Sequence, residues 1–252
     1  MTTHETGHAK NVAHFEELIG FCTGYGATYN PAKASIKLAA LQTLLTSAKN
    51  TITAVNTNIP AFSNAISARE AAFEPLSKLA TKIINALKAS DTTEQVVGSA
   101  MTLIRKIQGR RAKPKTKPTP SSIVVNANDP KAVAPDEPIN ISASQMSFDN
   151  RLDNLDKLIK LLSSVAAYAP NEAELKVTAL TTFYNDLKTK NSTVLAAEVP
   201  ISNARISRND ILYKATTGMT EIAADVKAYI KSLFGATSPQ YRQVSGIVFK
   251  KY

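Results

Sequence analysis

The sequence predicts an all-α protein made of two tandem, internally duplicated antiparallel helical bundles. Three observations lead there. Glycine is scarce, tryptophan is absent and aromatic residues make up 6% of the chain, a composition that favours helices over aromatic, turn-rich strands. Apolar residues recur every three or four positions over long stretches. The second half of the chain also repeats the first, and a repeated sequence predicts a repeated structural unit.

The repeat is clearest where YNPAKASIKLAALQTLL, starting at Tyr29, returns as YAPNEAELKVTALTTFY, starting at Tyr168. The constant offset aligns Ile36 with Leu175, and further on it aligns Phe73 with Leu212. We expect both pairs to be buried at equivalent positions of two superposable units. The strings SNAISARE and SNARISRN extend the match and place the same polar residues in both copies: Ser63, Asn64 and Arg69 in the first, Ser202, Asn203 and Arg208 in the second.

Apolar periodicity predicts four helices in each copy. In the first copy they cover residues 15–22, 36–59, 62–87 and 96–107, with a kink at Pro75. In the second copy they cover residues 152–165, 175–194, 201–226 and 241–249. The residues typical of helix starts are Ser147, Asp91 and Ser238, and those typical of helix stops are Gly109 and Gly235.

These elements divide the chain into a first helical-bundle repeat at residues 1–108, a linker at 109–146 and a second repeat at 147–252. The linker contains six prolines, which exclude a helix and favour an extended chain. Two β-branched runs inside it, SSIVVNA and INISAS, could pair as a short β-hairpin.

The pattern of reactive residues argues against an enzyme. The three histidines, His4, His8 and His14, all lie in the first fifteen residues, so no serine elsewhere has a nearby histidine in sequence to act as its base. A structural zinc site requires four ligands, so we expect His4 and His8 to belong to a polar, frayed N-terminus and His14 to be a solvent-facing residue of a helix. The single cysteine, Cys22, has apolar neighbours and is expected to be buried. We therefore predict no catalytic, metal-binding or cofactor-binding residues and no cofactor.

Positive charge is the strongest functional signal in this sequence, which has a formal net charge of +10. The densest cluster spans eight residues of the linker: Arg110, Arg111, Lys113, Lys115 and Lys117. Such a cluster could contact the phosphates of nucleic acid without reading its sequence. We favour a solubilising linker over this interpretation, because a base-reading motif and aromatic stacking residues are both missing.

The shared polar residues also have two interpretations. They could form a ligand site made twice, or each arginine could pair with an acid on a neighbouring helix while each asparagine satisfies a loop carbonyl near a helix start. We favour the second, structural interpretation.

The sequence as a whole predicts a non-enzymatic structural or protein-interaction module, with an unknown protein partner or self-association. The first alternative is a nucleic-acid-associated protein that binds the phosphate backbone through the basic linker. The second alternative, a membrane-active helical protein, has less support, because the helices are rich in alanine and threonine and lack an aromatic belt. No secretory signal pattern opens the sequence, and no stretch is apolar enough to span a membrane, so we expect a soluble, cytoplasmic protein.

Overall fold

The computed structural model describes residues 3–110 and 146–251, and within those ranges the protein is all-α, without strands. The predicted linker, its possible hairpin and most of the basic cluster lie outside the described residues. The helices are α1 (Thr3–Gly24), α2 (Leu38–Phe73), α3 (Leu76–Lys88), α4 (Glu94–Gln108), α5 (Phe148–Ser163), α6 (Val177–Tyr213), α7 (Met219–Phe234) and α8 (Pro239–Ser245). Single 3₁₀ turns precede both long helices, at Ala34–Ile36 and Ala173–Leu175.

The described residues form two compact units, each with its own apolar core. The first unit takes in residues up to Ile66 and those from Thr193 onward, so it contains α1, the start of α2, the end of α6, α7 and α8. The second unit takes in residues from Ser67 to Ser192, and it contains the end of α2, α3, α4, α5 and the start of α6. Each core therefore combines helices from both sequence repeats.

This division of the chain differs from the predicted domains at 1–108 and 147–252. The first helix of each repeat packs with helices that follow the long helix of the other repeat: α1 contacts α7 and α8, and α5 contacts α4. Apolar periodicity identifies the buried face of a helix, but two repeats offer two equivalent faces for it to meet. The apolar pattern of α1 or α5 therefore does not show whether the helix packs in its own repeat or in the other one.

The two long helices have a buried stripe with a period of seven residues, which is close to two helical turns. In α2 the stripe continues from Val55 past Pro60 to the half-buried Phe62, so the apolar face stays in register across the proline. The predicted helix break near residue 60 is therefore wrong, and α2 runs on to Phe73. In α6 five residues at this spacing are buried: Leu180, Leu187, Val194, Ile201 and Arg208.

The helix ends agree in part with the prediction. Ser147 and Ser238 accept hydrogen bonds from the backbone N–H groups of Asn150 and Tyr241, as N-cap residues do. Gly109 ends α4 in the left-handed conformation, with φ of 67°, and Gly235 follows α7. Two expectations were wrong. Pro75 separates α2 from α3 instead of kinking one helix, and α4 begins after Thr93 rather than after Asp91.

Corresponding positions of the two repeats have corresponding burial. Ile36 and Leu175 are both buried, and so are Phe73 and Leu212. The hydroxyl of Tyr29 donates to the carbonyl of Ile36 over 2.7 Å, and the hydroxyl of Tyr168 donates to the carbonyl of Leu175 over 2.9 Å. These paired hydrogen bonds hold the loop before each long helix in the same conformation.

The register between the repeats changes after the long helices. The segment between α6 and α7 has five residues, whereas Glu74 and Pro75 alone separate α2 from α3. The buried residues of α3 therefore correspond to those of α7 rather than to the sequence that continues the original offset. The corresponding buried pairs are Leu76 with Met219, Ala80 with Ala223, Ile83 with Val226 and Leu87 with Ile230.

In the turn before α7, position 218 has room only for glycine. A Cβ atom on Gly218 would lie 2.5 Å from the backbone nitrogen of Lys214 and 2.6 Å from its carbonyl oxygen. We expect Gly218→Ala to lower the free energy of unfolding by about 2 kcal/mol, because backbone atoms cannot move aside as a flexible side chain would. Chemical denaturation of the variant measures this loss.

A matched control is Gly20→Ala in α1, where a Cβ atom meets nothing within 4 Å. There the same substitution should raise the stability by about 1 kcal/mol, through the higher helix propensity of alanine. Equal effects of the two substitutions would contradict the described turn.

Candidate interaction site

The structure describes only the start of the predicted basic cluster. Arg110 is exposed, directly after the glycine that ends α4, and its backbone N–H donates to the carbonyl of Arg105 over 2.9 Å. Arg105 and Lys106 lie in the last turn of α4, where cations interact favourably with the helix dipole. Arg111, Lys113, Lys115 and Lys117 lie outside the described residues.

The polar residues shared by the two repeats fall into two groups. Ser63 and Asn64 on α2, like Ser202 and Asn203 on α6, are exposed in the middle of continuous helices. The expectation that the asparagines satisfy loop carbonyls near helix starts is therefore wrong, because no helix starts there.

Arg69 and Arg208, in contrast, stand on the seven-residue stripes, and Arg208 is only 4% exposed. Arg208 donates from Nε and Nη2 to the side-chain oxygen of its neighbour Asn209, over 3.2 and 3.0 Å.

Arg69 is part of a polar and aromatic cluster in the second unit. Its Nη1 donates to Oδ1 of Asn191 over 3.1 Å, and Nδ2 of Asn191 donates to the carboxylate of Asp149 over 2.8 Å. The guanidinium carbon of Arg69 lies 3.9 Å from the centre of the Phe148 ring, a cation–π contact. The hydrogen-bond partner of Arg69 is thus the amide of Asn191, and this amide in turn bonds the carboxylate of Asp149.

His8 and His14 are not the frayed and solvent-facing residues that the sequence predicts. His8 is 3% exposed, and its Nδ1 lies 2.6 Å from the hydroxyl oxygen of Tyr213 at the end of α6. His14 is half-buried and contacts the carbonyl of Val248. Among the residues that the structure describes, no three His, Cys, Asp or Glu side chains are grouped so as to hold a metal ion.

Cys22 is buried, as predicted. Burial raises the pKa of its thiol to about 11, so the thiol stays protonated at neutral pH and is a poor nucleophile.

The second unit carries an open cleft of about 620 Å³ between the end of α3 and the loop before α6. This volume lies within the range of small-ligand sites, although the cleft is wide open to solvent. Its charged lining consists of three carboxylates, from Asp91, Glu172 and Glu174, against one ammonium group, from Lys82. The cleft is thus acidic in a protein that is strongly basic as a whole.

The C-terminal end of α3 makes the cleft more negative, whereas the Tyr168 hydroxyl stays uncharged. The last carbonyl groups of α3 end beside it, and the C-terminal end of a helix carries partial negative charge. Burial, together with the nearby carboxylate of Glu172, raises the pKa of Tyr168 to about 12. Lys82 is already engaged, since its Nζ lies 2.7 Å from Oε1 of Glu174. A cation that entered the cleft would meet the carboxylates of Asp91 and Glu172.

The corresponding place in the first unit is filled by aromatic side chains. Ala86 lines the cleft ten residues after the start of α3, and the residue ten after the start of α7 is Tyr229. The ring of Tyr229 packs edge-on against that of Tyr29, with the centroids 5.3 Å apart. Phe234, further along α7, packs against Tyr25 at 5.0 Å. The cleft therefore lies where the two units, built from corresponding helices, differ in their side chains.

An ion pair beside the cleft also differs from the corresponding ion pair of the first unit. In the second unit Lys82 on α3 pairs with Glu174, and in the first unit Asp225 on α7 pairs with Lys33 over 2.5 Å. Lys82 and Asp225 each lie six residues after the start of their helix, so the two units carry the pair with opposite polarity. Exposed pairs of this kind contribute little stability, and the reversal mainly changes the sign of the local charge.

The chain matches no protein-family model, no curated protein and no solved structure. Within the described ranges, no helix combines the length and apolar character that crossing a membrane requires.

Sequence analysis missed the cleft and the buried His8, Asn11 and Asn191. The acids of the cleft are separated along the sequence and come together only through the packing of α3 against the loop before α6. Asn191 could have been noticed, because it lies on α6 four residues after the buried Leu187, close to the apolar stripe.

Proposed function

We propose that this protein is a non-enzymatic interaction module, built from a tandemly duplicated helical repeat whose two copies exchange helices. The duplication is supported by the corresponding tyrosine hydrogen bonds, of Tyr29 to Ile36 and of Tyr168 to Leu175, and by the matched buried positions. The exchange is supported by the mixed composition of both cores.

The observation that carries the interaction role is the acidic cleft of the second unit. Directly after a duplication, the two copies of the helical repeat have the same surface. Here one copy has aromatic side chains at Tyr229 and Phe234, while the other has an open cleft lined by Ala86 and acids. The partner is a protein segment that presents a lysine or arginine side chain, since its charge complements the carboxylates of Asp91 and Glu172.

Several polar groups that might otherwise serve catalysis have structural partners. Tyr29 and Tyr168 hold the loops before α2 and α6, His8 contacts Tyr213, and Arg69 contacts Asn191. These contacts favour a protein that binds over one that performs chemistry.

The cleft is tested with a labelled tetralysine peptide and its lysine-acetylated counterpart. We expect the tetralysine peptide to bind at low salt, and the acetylated peptide to bind at least tenfold more weakly, because acetylation removes the charge that the cleft complements. Asp91→Asn with Glu172→Gln should weaken binding at least tenfold. The control, Asp186→Asn with Glu198→Gln, removes the same charge from exposed positions outside the cleft and should have little effect. Equal losses in both variants would indicate nonspecific attraction.

A cleft-filling variant separates shape from charge. Ala86→Tyr places in α3 the residue that α7 carries at Tyr229, and it leaves every carboxylate in place. We expect a melting temperature within a few degrees of the parent's, because the ring can pack against Tyr168 as Tyr229 packs against Tyr29. Peptide binding should fall at least tenfold. Unchanged binding in the folded variant would show that the cleft is not the site.

A second function is favoured by the basic end of α4. Arg105, Lys106 and the exposed Arg110 extend the cationic cluster of the linker back onto the helix, which supports binding to nucleic acid through phosphates. Membrane activity, the other alternative, stays a prediction.

Gel shifts at two salt concentrations test this second function. Replacing Arg110, Arg111, Lys113, Lys115 and Lys117 with glutamine should weaken binding to all sequences alike and flatten the log–log salt dependence by about three to five units. The control replaces five exposed lysines elsewhere, at Lys10, Lys37, Lys78, Lys88 and Lys214, and lowers the net charge equally. The same loss in both variants would assign binding to overall charge, and no binding by the parent at physiological salt would exclude this function.

A further inference from the structure

Residues 247–251, which follow α8 and form no helix or turn, contact α1 and α7 in the first unit, mostly through backbone groups. Asn11 makes two hydrogen bonds with Lys250: its Nδ2 donates to the carbonyl over 2.6 Å, and its Oδ1 accepts from the backbone N–H over 3.1 Å. Nδ1 of His14 donates to the carbonyl of Val248 over 2.8 Å. The ammonium group of Lys227 donates to the carbonyl of Ile247. These contacts go to backbone groups of the segment, so they do not depend on its side chains.

The side chains of the segment alternate between the protein and solvent, as expected for an extended peptide on a surface. Ile247 is buried in the core of the first unit, whereas Val248 is 57% exposed. The ring of Phe249 meets the edge of the His14 ring at 6.2 Å and lies 5.5 Å from Nζ of Lys227. Nζ of Lys251 pairs with Glu221 over 2.5 Å. The aliphatic, aromatic and lysine side chains that contact the protein thus stand at alternate positions of the segment.

The groove residues are held in place by contacts of their own. Asn11 is 2% exposed, and its Nδ2 also donates to the hydroxyl of Tyr213 over 3.1 Å. Tyr213 in turn contacts His8. A buried amide that is fixed on one side and bonded to a peptide backbone on the other loses two hydrogen bonds when the peptide leaves. The groove is therefore suited to remain occupied.

Among the residues that the structure describes, the second unit has different side chains at the positions of Asn11 and Lys227. When the helices are aligned by their buried residues, with Phe15 on Leu155 and Val226 on Ile83, Asn11 corresponds to Arg151 and Lys227 corresponds to Ile84. Arg151 donates to the carbonyl of Phe73 in its own unit, and Ile84 belongs to the apolar core. Like the cleft of the second unit, the groove is a specialisation of one copy.

We propose that the groove formed by Asn11, His14, Glu221 and Lys227 is a second docking site, which binds an extended partner segment with the pattern Ile-x-Phe-x-Lys. Residues 247–251 occupy it within the same chain and act as a tethered competitor that such a partner displaces. The pattern follows from the segment that already lies there, and the mode is recognition of an extended peptide through its backbone, with side chains providing specificity. The site does not depend on the cleft, and either could fail without the other.

The test uses a labelled peptide with the sequence SGIVFKKY and the full chain. In the parent the tethered segment competes at an effective concentration in the millimolar range, so the added peptide should bind weakly. Ile247→Ser with Phe249→Ser removes the two inward side chains of the segment and leaves the groove residues unchanged. We expect this tail variant to bind the peptide at least tenfold more tightly than the parent does. A peptide with serine in place of phenylalanine should bind at least tenfold more weakly than the original.

Two further substitutions in the tail variant locate the bound peptide. Asn11→Ala should lower the affinity at least tenfold, because it removes both backbone hydrogen bonds. Asn64→Ala, the same change at an exposed position of α2, should leave the affinity unchanged. If the double tail variant melts far below the parent, Phe249→Ala alone gives the same comparison, with an expected gain of at least threefold. A folded tail variant that binds no better than the parent, or an affinity that Asn11→Ala leaves unchanged, would overturn the proposal.

Discussion

The first helix of each repeat buries its apolar face partly against helices of the other repeat, and the rest of the structure depends on this packing. In α1 the buried face includes Phe15, Leu18 and Cys22, and it packs with α7 and α8 from the other half of the chain. In α5 the corresponding face includes Leu155, Leu158 and Leu162, and it packs with α4. Burying several such side chains contributes on the order of 10 kcal/mol, as much as the net stability of a whole domain. Each core is completed by side chains from both halves of the chain.

The shared frame leaves a few places free to diverge, and the candidate sites lie there. Positions that hold the frame have the same role in both halves, as Tyr29 and Tyr168 show with their hydrogen bonds to the loops before α2 and α6. Positions at the rim differ in size and charge, from Ala86 to Tyr229 and from Lys82 to Asp225. The proposed duplication, followed by divergence of exposed residues, accounts for two different surfaces on similar cores.

Much of the fold could be predicted from the sequence. Helix formation and the buried face of a helix follow from residues close together in the chain, and the repeat is visible when the two halves are compared. The periodic apolar residues indicated the helical regions, and the serines and glycines at Ser147, Ser238, Gly109 and Gly235 marked ends that the structure confirms. The position of the break between the second and third helices was wrong, because Pro60 lies in a helix whose stripe stays in register across it. The exchange of helices and both candidate sites depend on residues far apart in the chain, which periodicity does not pair.

The most direct test of the exchange is to produce residues 1–108 and 147–252 as separate chains and to compare them alone and mixed. The mixed cores predict that each fragment alone lacks a cooperative thermal transition in circular dichroism. An equimolar mixture should form a one-to-one complex with the helix content and the cooperative unfolding of the parent. A fragment that is monomeric and unfolds cooperatively by itself, with a melting temperature unaffected by the other fragment, would contradict this account.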